Sequence, residues 1–372
     1  MTDRVSSRFA TMGHKAGLYC LLCMSFSYTA NSHALNWDSN YGANITAGYD
    51  DNLSLTSTNE LDTSFSKLGL FASAEGSTEL TSIELLAGIN NDSYSAPSVD
   101  DRTTGNLSIS LRNRSERRQS HLQVSYLIEP TIETELQDTG IIEDGSRDAL
   151  SVSPGMTYAF DERNSLSINL GFTDVGYDNI PLTDYQDTSF SFGWGYRLDQ
   201  TSDFSTSLSV SQYEPVSEAS TDTGNLSIGY NISTSEATTY RFSAGYSEVD
   251  GSANQQTGST YSIGISNIRD ERNSFLLTAA RRFQASGLGA VREEDHLSLS
   301  WAHAFSEKAQ GVLSADFIGT DERDYFEIQP SISYRLSEKS SISGNYRFRQ
   351  QDDATAGDAE SNSLLITLSY QL

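Results

Sequence analysis

Three histidines stand in the body of the chain, His121, His296 and His303, and they are the first candidates for acid–base or metal chemistry. No His-x-x-x-His or Glu-His spacing accompanies them, so the pattern of a zinc site is missing. A nucleophilic hydrolase would need a serine, a histidine and a carboxylate or amide brought together. Serine is so frequent here that one near His303 carries no information. Six acids at expected loop positions, Asp50, Asp51, Glu143, Asp144, Asp352 and Asp353, could attract calcium. None has the spacing of a calcium loop, so they read as solvated charge. Cys20 and Cys23 both lie in the N-terminal segment, which leaves no thiol for a disulfide or a metal downstream. The residues therefore predict no catalytic site, no metal and no cofactor.

The side chains with chemistry to offer are arginines. Arg112, Arg197, Arg241, Arg282, Arg335 and Arg347 each stand on the polar parity of an alternating stretch. If those parities face a common interior, the arginines line it and attract anions, as charged rings do in pores. The competing reading is that they pair with inward acids such as Glu84 and Glu327 and stiffen a wall. Both stay open at the level of sequence.

The elements that would position them are strands. Trp37, Tyr41, Ala43, Ile45, Ala47 and Tyr49 alternate with Asp38, Asn40, Gly42, Asn44, Thr46 and Gly48. This period of two makes one apolar and one polar face. It recurs in Leu150, Val152, Pro154, Met156, Tyr158 and Phe160, in Phe190, Phe192, Trp194, Tyr196 and Leu198, and in Leu297, Leu299, Trp301 and Phe305. Phe326, Ile328, Ile332, Tyr334 and Leu336 form a further face. Short polar turns are predicted near residues 75–79, 113–119, 161–164, 199–203, 233–238, 269–272, 306–310 and 337–340. Longer acidic loops fall between them, at 50–62, 90–105, 129–148 and 173–187.

This amounts to a repeat of roughly 35–43 residues holding two strands of about nine to twelve residues, long enough to cross a bilayer at a tilt. The fold class is therefore all-β: a single closed antiparallel transmembrane barrel of about 18 strands (roughly 16–20), with short periplasmic turns and long acidic extracellular loops. Closure is required because an open edge in lipid would leave backbone groups unpaired. A β-propeller has a repeat of similar length, but its Trp-Asp signature occurs only once here, at Trp37-Asp38. Aromatic residues gather near the predicted strand ends: Phe160, Tyr196, Phe305 and Tyr334 before short turns, and Tyr49, Phe172 and Tyr246 before long loops. Such positions suit girdles at both membrane faces. His303 falls on the lipid-facing parity and reads as an interfacial side chain. By length, 129–148 is the loop most suited to fold into the lumen.

Composition agrees. Only 37% of residues are hydrophobic while 10% are aromatic, which suits a wall with one lipid-facing side. A net charge of −26 makes nucleic acid a poor partner. Residues 1–34 read as a secretory signal, with Arg4, Arg8 and Lys15 before an apolar stretch at 16–24 and small residues at Ser32-His33-Ala34. Residues 35–372 then form the barrel. A lipoprotein signal is the rival, but Tyr19 and Leu22 precede the cysteines where a small residue is wanted. The chain finishes on Leu364, Ile366, Leu368, Tyr370 and Leu372, which resembles the C-terminal signal read by the barrel assembly machinery. That signal usually ends in Phe or Trp, and Leu372 departs from it.

Three phrases carry a wider resemblance: Gly48-Tyr49-Asp50-Asp51-Asn52-Leu53 with Asp62-Thr63-Ser64-Phe65, Val175-Gly176-Tyr177-Asp178-Asn179-Ile180 with Tyr185-Gln186-Asp187-Thr188, and Phe160-Asp161-Glu162-Arg163-Asn164-Ser165-Leu166. With them the chain resembles a family of outer-membrane β-barrel porins found in exopolysaccharide-producing proteobacteria. The resemblance implies an outer-membrane channel linked to polysaccharide secretion and no catalytic residue. The alternative is a non-conducting barrel that docks secretion partners or polysaccharide. Expected partners are outer-membrane lipids and lipopolysaccharide, the assembly machinery, and polysaccharide secretion proteins.

Overall fold

The computed structural model describes residues 35–372 except 140–143, 179–180, 252–254, 271 and 355–356. The predicted signal at 1–34 lies outside the described residues. The strands begin with Asn36–Asp50 (β1), Thr63–Ser77 (β2), Thr81–Tyr94 (β3), Arg102–Arg114 (β4), Arg118–Pro130 (β5) and Ser146–Ala159 (β6). They continue with Asn164–Asp178 (β7), Tyr185–Arg197 (β8), Ser202–Pro215 (β9), Thr221–Ser233 (β10), Thr238–Gly251 (β11) and Gln255–Asp270 (β12). The last six are Asn273–Ala285 (β13), Val291–Ala304 (β14), Ala309–Gly319 (β15), Arg323–Arg335 (β16), Ser340–Asp353 (β17) and Ala359–Gln371 (β18). Among the described residues one short helix, Thr131–Asp138 (α1), interrupts the sequence of strands.

Each strand pairs antiparallel with its neighbours in the chain, and β1 pairs with β18 from Gly42↔Gln371 to Asp50↔Ser363, so the 18-stranded sheet is closed. No strand edge remains to be satisfied in lipid. Connections at one rim, such as 78–80, 115–117 and 336–339, hold two to four residues. Those at the other rim include 51–62, 95–101 and 131–145. The strands, of 11 to 16 residues, are longer than alternation suggested, and the loops correspondingly shorter. Residues 90–94, 102–105, 129–130, 146–148, 173–178 and 185–187, expected in loops, continue the ladder. Their polarity reflects position above the apolar belt, where the inter-strand bonds still hold the backbone in water.

The register places one parity outward all round. On this face Ile45 lies opposite Leu68 and Leu70 opposite Ile89, and these four are exposed with Tyr49, Leu107, Leu208, Leu226, Ile228 and Leu297. These apolar groups have no protein core behind them; their partner is hydrocarbon. Trp194, Tyr196 and Phe204 cluster on the outer face at the short-turn rim, with ring centroids 5.9 and 6.3 Å apart. The buried hydrophobic residues, including Val175, Tyr213, Leu53 and Leu55, lie instead at the long-loop rim on the inner side.

Candidate functional site

The inner wall is the surface able to meet a solute. It carries Ser, Thr, Asn and Gly at most positions, as in Ser207, Ser227 and Asn225, which are linked by hydroxyl and amide hydrogen bonds to each other or to the next strand. All six arginines singled out by alternation lie on this parity, but the structure divides them between the two ends.

Arg112, Arg197, Arg241 and Arg335 stand within four residues of the short-turn end of β4, β8, β11 and β16 and are exposed. Arg241 is flanked by the outward rings of Tyr240 and Phe242, so its own side chain takes the inner side. Among the described residues Arg112, Arg241 and Arg335 form no ion pair. Arg197 Nε lies 3.8 Å from Asp203 Oδ1, and both side chains are more than half exposed, so the pair is weak. Arg114, which alternation did not single out, shares the face of Arg112 and completes this rim. Next to it the wall turns acidic: Asp38 on β1 faces Glu75 on β2, which faces Glu84 on β3.

Arg282 and Arg347 lie in the long-loop half and are paired. Arg282 Nη2 is 2.9 Å from Glu294 Oε1, and Arg347 Nη2 is 3.6 Å from Asp50 Oδ2. They belong to a larger set that period-two reading did not find. Arg349 contacts Asp50, Arg102 contacts Asp144, and Arg147 contacts Glu129 and Glu135. Only Arg349 left a sequence trace, since it shares the parity of Arg347 two residues on.

The loops at this end fold inward. Leu53 from 51–62, Ala96 and Val99 from 95–101 and Ile132 of α1 form one buried cluster. Tyr177 on β7 donates its hydroxyl to Glu135 Oε1 of α1 at 2.9 Å, and Glu135 is buried. The connection 286–290 reaches the wall of β7–β9: Tyr213 donates to the Ser286 carbonyl at 2.7 Å, and the Thr183 amide donates to the Gly287 carbonyl at 2.9 Å. The long-loop mouth is thereby narrowed by packed side chains, while the short-turn mouth keeps exposed polar ones.

Several acids change role as a result. Asp50 is not a solvated loop charge; it ends β1, is fully buried and accepts from Arg349 and Ser361. Asp51 accepts from the Asn362 amide and side chain at 2.6 and 3.0 Å. Asp144 is held by Arg102, Asp352 and Asp353 end strand β17, and Glu143 lies outside the described residues. Ring closure brings Asp50 to Arg349, and the fold of the long-loop rim brings Asp144 to Arg102, pairs far apart in sequence. Among the histidines, His303 faces outward between Trp301 and Phe305, with Nδ1 2.7 Å from Asn273 Oδ1. His296 Nε2 faces Asp316 Oδ1 at 3.6 Å on the inner wall. His121 is the register partner of Arg112.

No family model matches the chain, and no curated protein matches it. Among solved structures it is similar to OpdL of Pseudomonas aeruginosa, at 14% identity and a TM-score of 0.47 over 90% of this chain and 99% of that one. The outer membrane protein OpdK of Pseudomonas aeruginosa gives 10% identity and a TM-score of 0.46 over 90% and 99%. OccAB2 of Acinetobacter baumannii gives 9% identity and 0.47 over 90% and 98%. At this distance what the lumen can do is read from its own residues.

Proposed function

We propose that the chain is a passive channel of the bacterial outer membrane, with the short-turn rim in the periplasm, and that it passes anionic polymer outward, an exopolysaccharide being the specific cargo. The carrying observation is the unequal state of the lumen arginines. Those in the long-loop half are paired with carboxylates, whereas among the described residues Arg112, Arg241 and Arg335 at the short-turn mouth form no ion pair. Unpaired cations at a mouth raise the local concentration of anions and favour their arrival from that side. Beyond them the wall offers hydroxyl and amide groups, which suit a hydrated chain and bind it weakly enough to release it. The apolar belt would sit among outer-membrane lipids and lipopolysaccharide. The exposed outer face of β18, Leu364, Ile366, Leu368 and Tyr370 with Leu372 just beyond, would be read by the assembly machinery. Polysaccharide secretion proteins would dock at the periplasmic rim.

The inward-packed loops favour a second reading, a non-conducting barrel that docks secretion partners. Single-channel recording of the refolded chain in planar bilayers separates the two. The channel reading expects discrete conductance steps with anion preference. A correctly folded barrel that passes no current overturns it and leaves the docking barrel, which would tolerate lumen substitutions and be sensitive to loop deletion.

A further inference from the structure

We propose that the inner wall of β3–β6 at the short-turn mouth holds an anion-binding subsite for the carboxylate groups of a polyanionic chain. A cavity of about 490 Å³ opens there, lined among others by Ser82, Ser110, Arg112, Arg114, His121 and Gln123. The register explains why they converge. Arg112 faces Ser82 on one side and His121 on the other, and Ser110 faces Gln123. Alternation turns all of these side chains to the lumen. Each offers a hydrogen-bond donor; a neutral imidazole supplies one N–H and each guanidinium a planar fork suited to a carboxylate.

The two arginines are exposed, and among the described residues neither Arg112 nor Arg114 is ion-paired. Two carboxylates lie near: Glu79 lines the cavity, and Glu84 faces Ser110 one step along the ladder. Their charge opposes an incoming anion; what favours it is that the two guanidiniums form no ion pair among the described residues, so the anion gains without displacing an existing bond. Gly155 keeps the cavity wall in shape, because a Cβ there would overlap both the His121 ring and Asn169. The remaining unpaired lumen arginines, Arg241 and Arg335, sit on strands away from this cavity and provide no such cluster. The subsite deepens the channel reading by naming where the polymer is first held, and it rests on that reading only for its biological use.

The test is calorimetric titration of the full chain, refolded in detergent, with oligogalacturonate of ten residues and with monomeric galacturonate at low salt. The unsubstituted chain should bind the oligomer more tightly than the monomer, with affinity falling as salt rises. Arg112→Ser/Arg114→Ser should weaken oligomer binding by about tenfold or more, since a charge-assisted hydrogen bond is lost at each position. Arg241→Ser/Arg335→Ser removes the same charge and should change it far less. Equal losses in the two double variants would mean diffuse attraction and overturn the subsite, as would no binding by the unsubstituted chain. Monomer bound as tightly as oligomer would overturn the polymer assignment. A barrel that binds without conducting keeps the subsite and loses the channel; one that conducts without binding does the reverse. Heat-modifiable gel mobility confirms that each variant is folded.

Discussion

Arg349 of β17 reaches past β18 to Asp50 at the end of β1, Nη2 to Oδ2 2.9 Å, and both side chains are buried. Ser361 of β18 stands between them, accepting from Arg349 at 2.9 Å and donating to Asp50 at 2.8 Å. The same guanidinium reaches the carbonyls of Asn52 and Leu53 at 3.4 and 3.3 Å, so the seam that closes the barrel also pins the loop 51–62.

Asp50→Ala should therefore destabilise the barrel by about 3–5 kcal/mol, because it strands a buried guanidinium. Asp50→Ala combined with Arg349→Met removes both charges and should recover much of the loss. Urea unfolding of the refolded protein reads this directly. A single variant as stable as the parent would show that the seam does not depend on the pair.

The lumen arginines at the short-turn mouth should set ion preference. Replacing Arg197, Arg241 and Arg335 by Ser should move the reversal potential in a salt gradient toward the cation side. Arg282→Ser is the contrasting case, for it leaves Glu294 with only Arg292 at 3.8 Å. An unchanged reversal potential in the triple variant rejects a role for that ring.

Helix α1 should be held in the mouth by Tyr177. Tyr177→Phe removes the hydroxyl bond to Glu135 Oε1 and leaves that buried carboxylate to Arg147, a cost of about 1 kcal/mol. The expected results are faster proteolytic cleavage within 131–145 and a larger unitary conductance. Unaltered cleavage would place the restraint elsewhere.

Turn 160–163 carries a pH dependence with a definite sign. Asp161 Oδ1 accepts from the amides of Arg163 and Asn164, each at 2.7 Å, and these bonds hold its carboxyl below the usual carboxylate value. A lowered folded pKa means that its contribution is present above about pH 4, the unfolded value, and is lost as pH falls through the folded one. The amide chemical shifts of Arg163 and Asn164 should titrate together with a midpoint below the ordinary Asp value. A midpoint at or above it contradicts the bonds.

The outer face of β18 should matter for assembly more than for the finished fold. Its Tyr370 lies opposite Ala43 and its Leu368 opposite Ile45, on the lipid side of the closing seam. Tyr370→Ala should lower the amount of folded barrel in the outer membrane of cells while the protein still refolds in detergent. Equal losses in both settings would make Tyr370 a structural residue only.

Period two is a local property of the chain, so the number of strands and the inward parity of Arg112, Arg241 or Arg347 were legible from residues a few positions apart. Short turns rich in Ser, Asp and Asn were legible for the same reason, since Asp161, Asp199 and Ser337 bond to amides two or three residues on. Which arginines are neutralised was not legible. Arg349 and Asp50 are 299 positions apart, and only ring closure brings them together. The inward turn of the loops was equally hidden, because the contact of Tyr177 with Glu135, or of Tyr213 with Ser286, follows from curvature of the closed wall and not from any repeat. The sequence by itself determined a barrel with cations on its inner face. The tertiary structure alone decided that those cations are weakly paired or, among the described residues, without an ion pair at one mouth and are spent on structure at the other, because pairing depends on register around the ring and on where the loops come to rest.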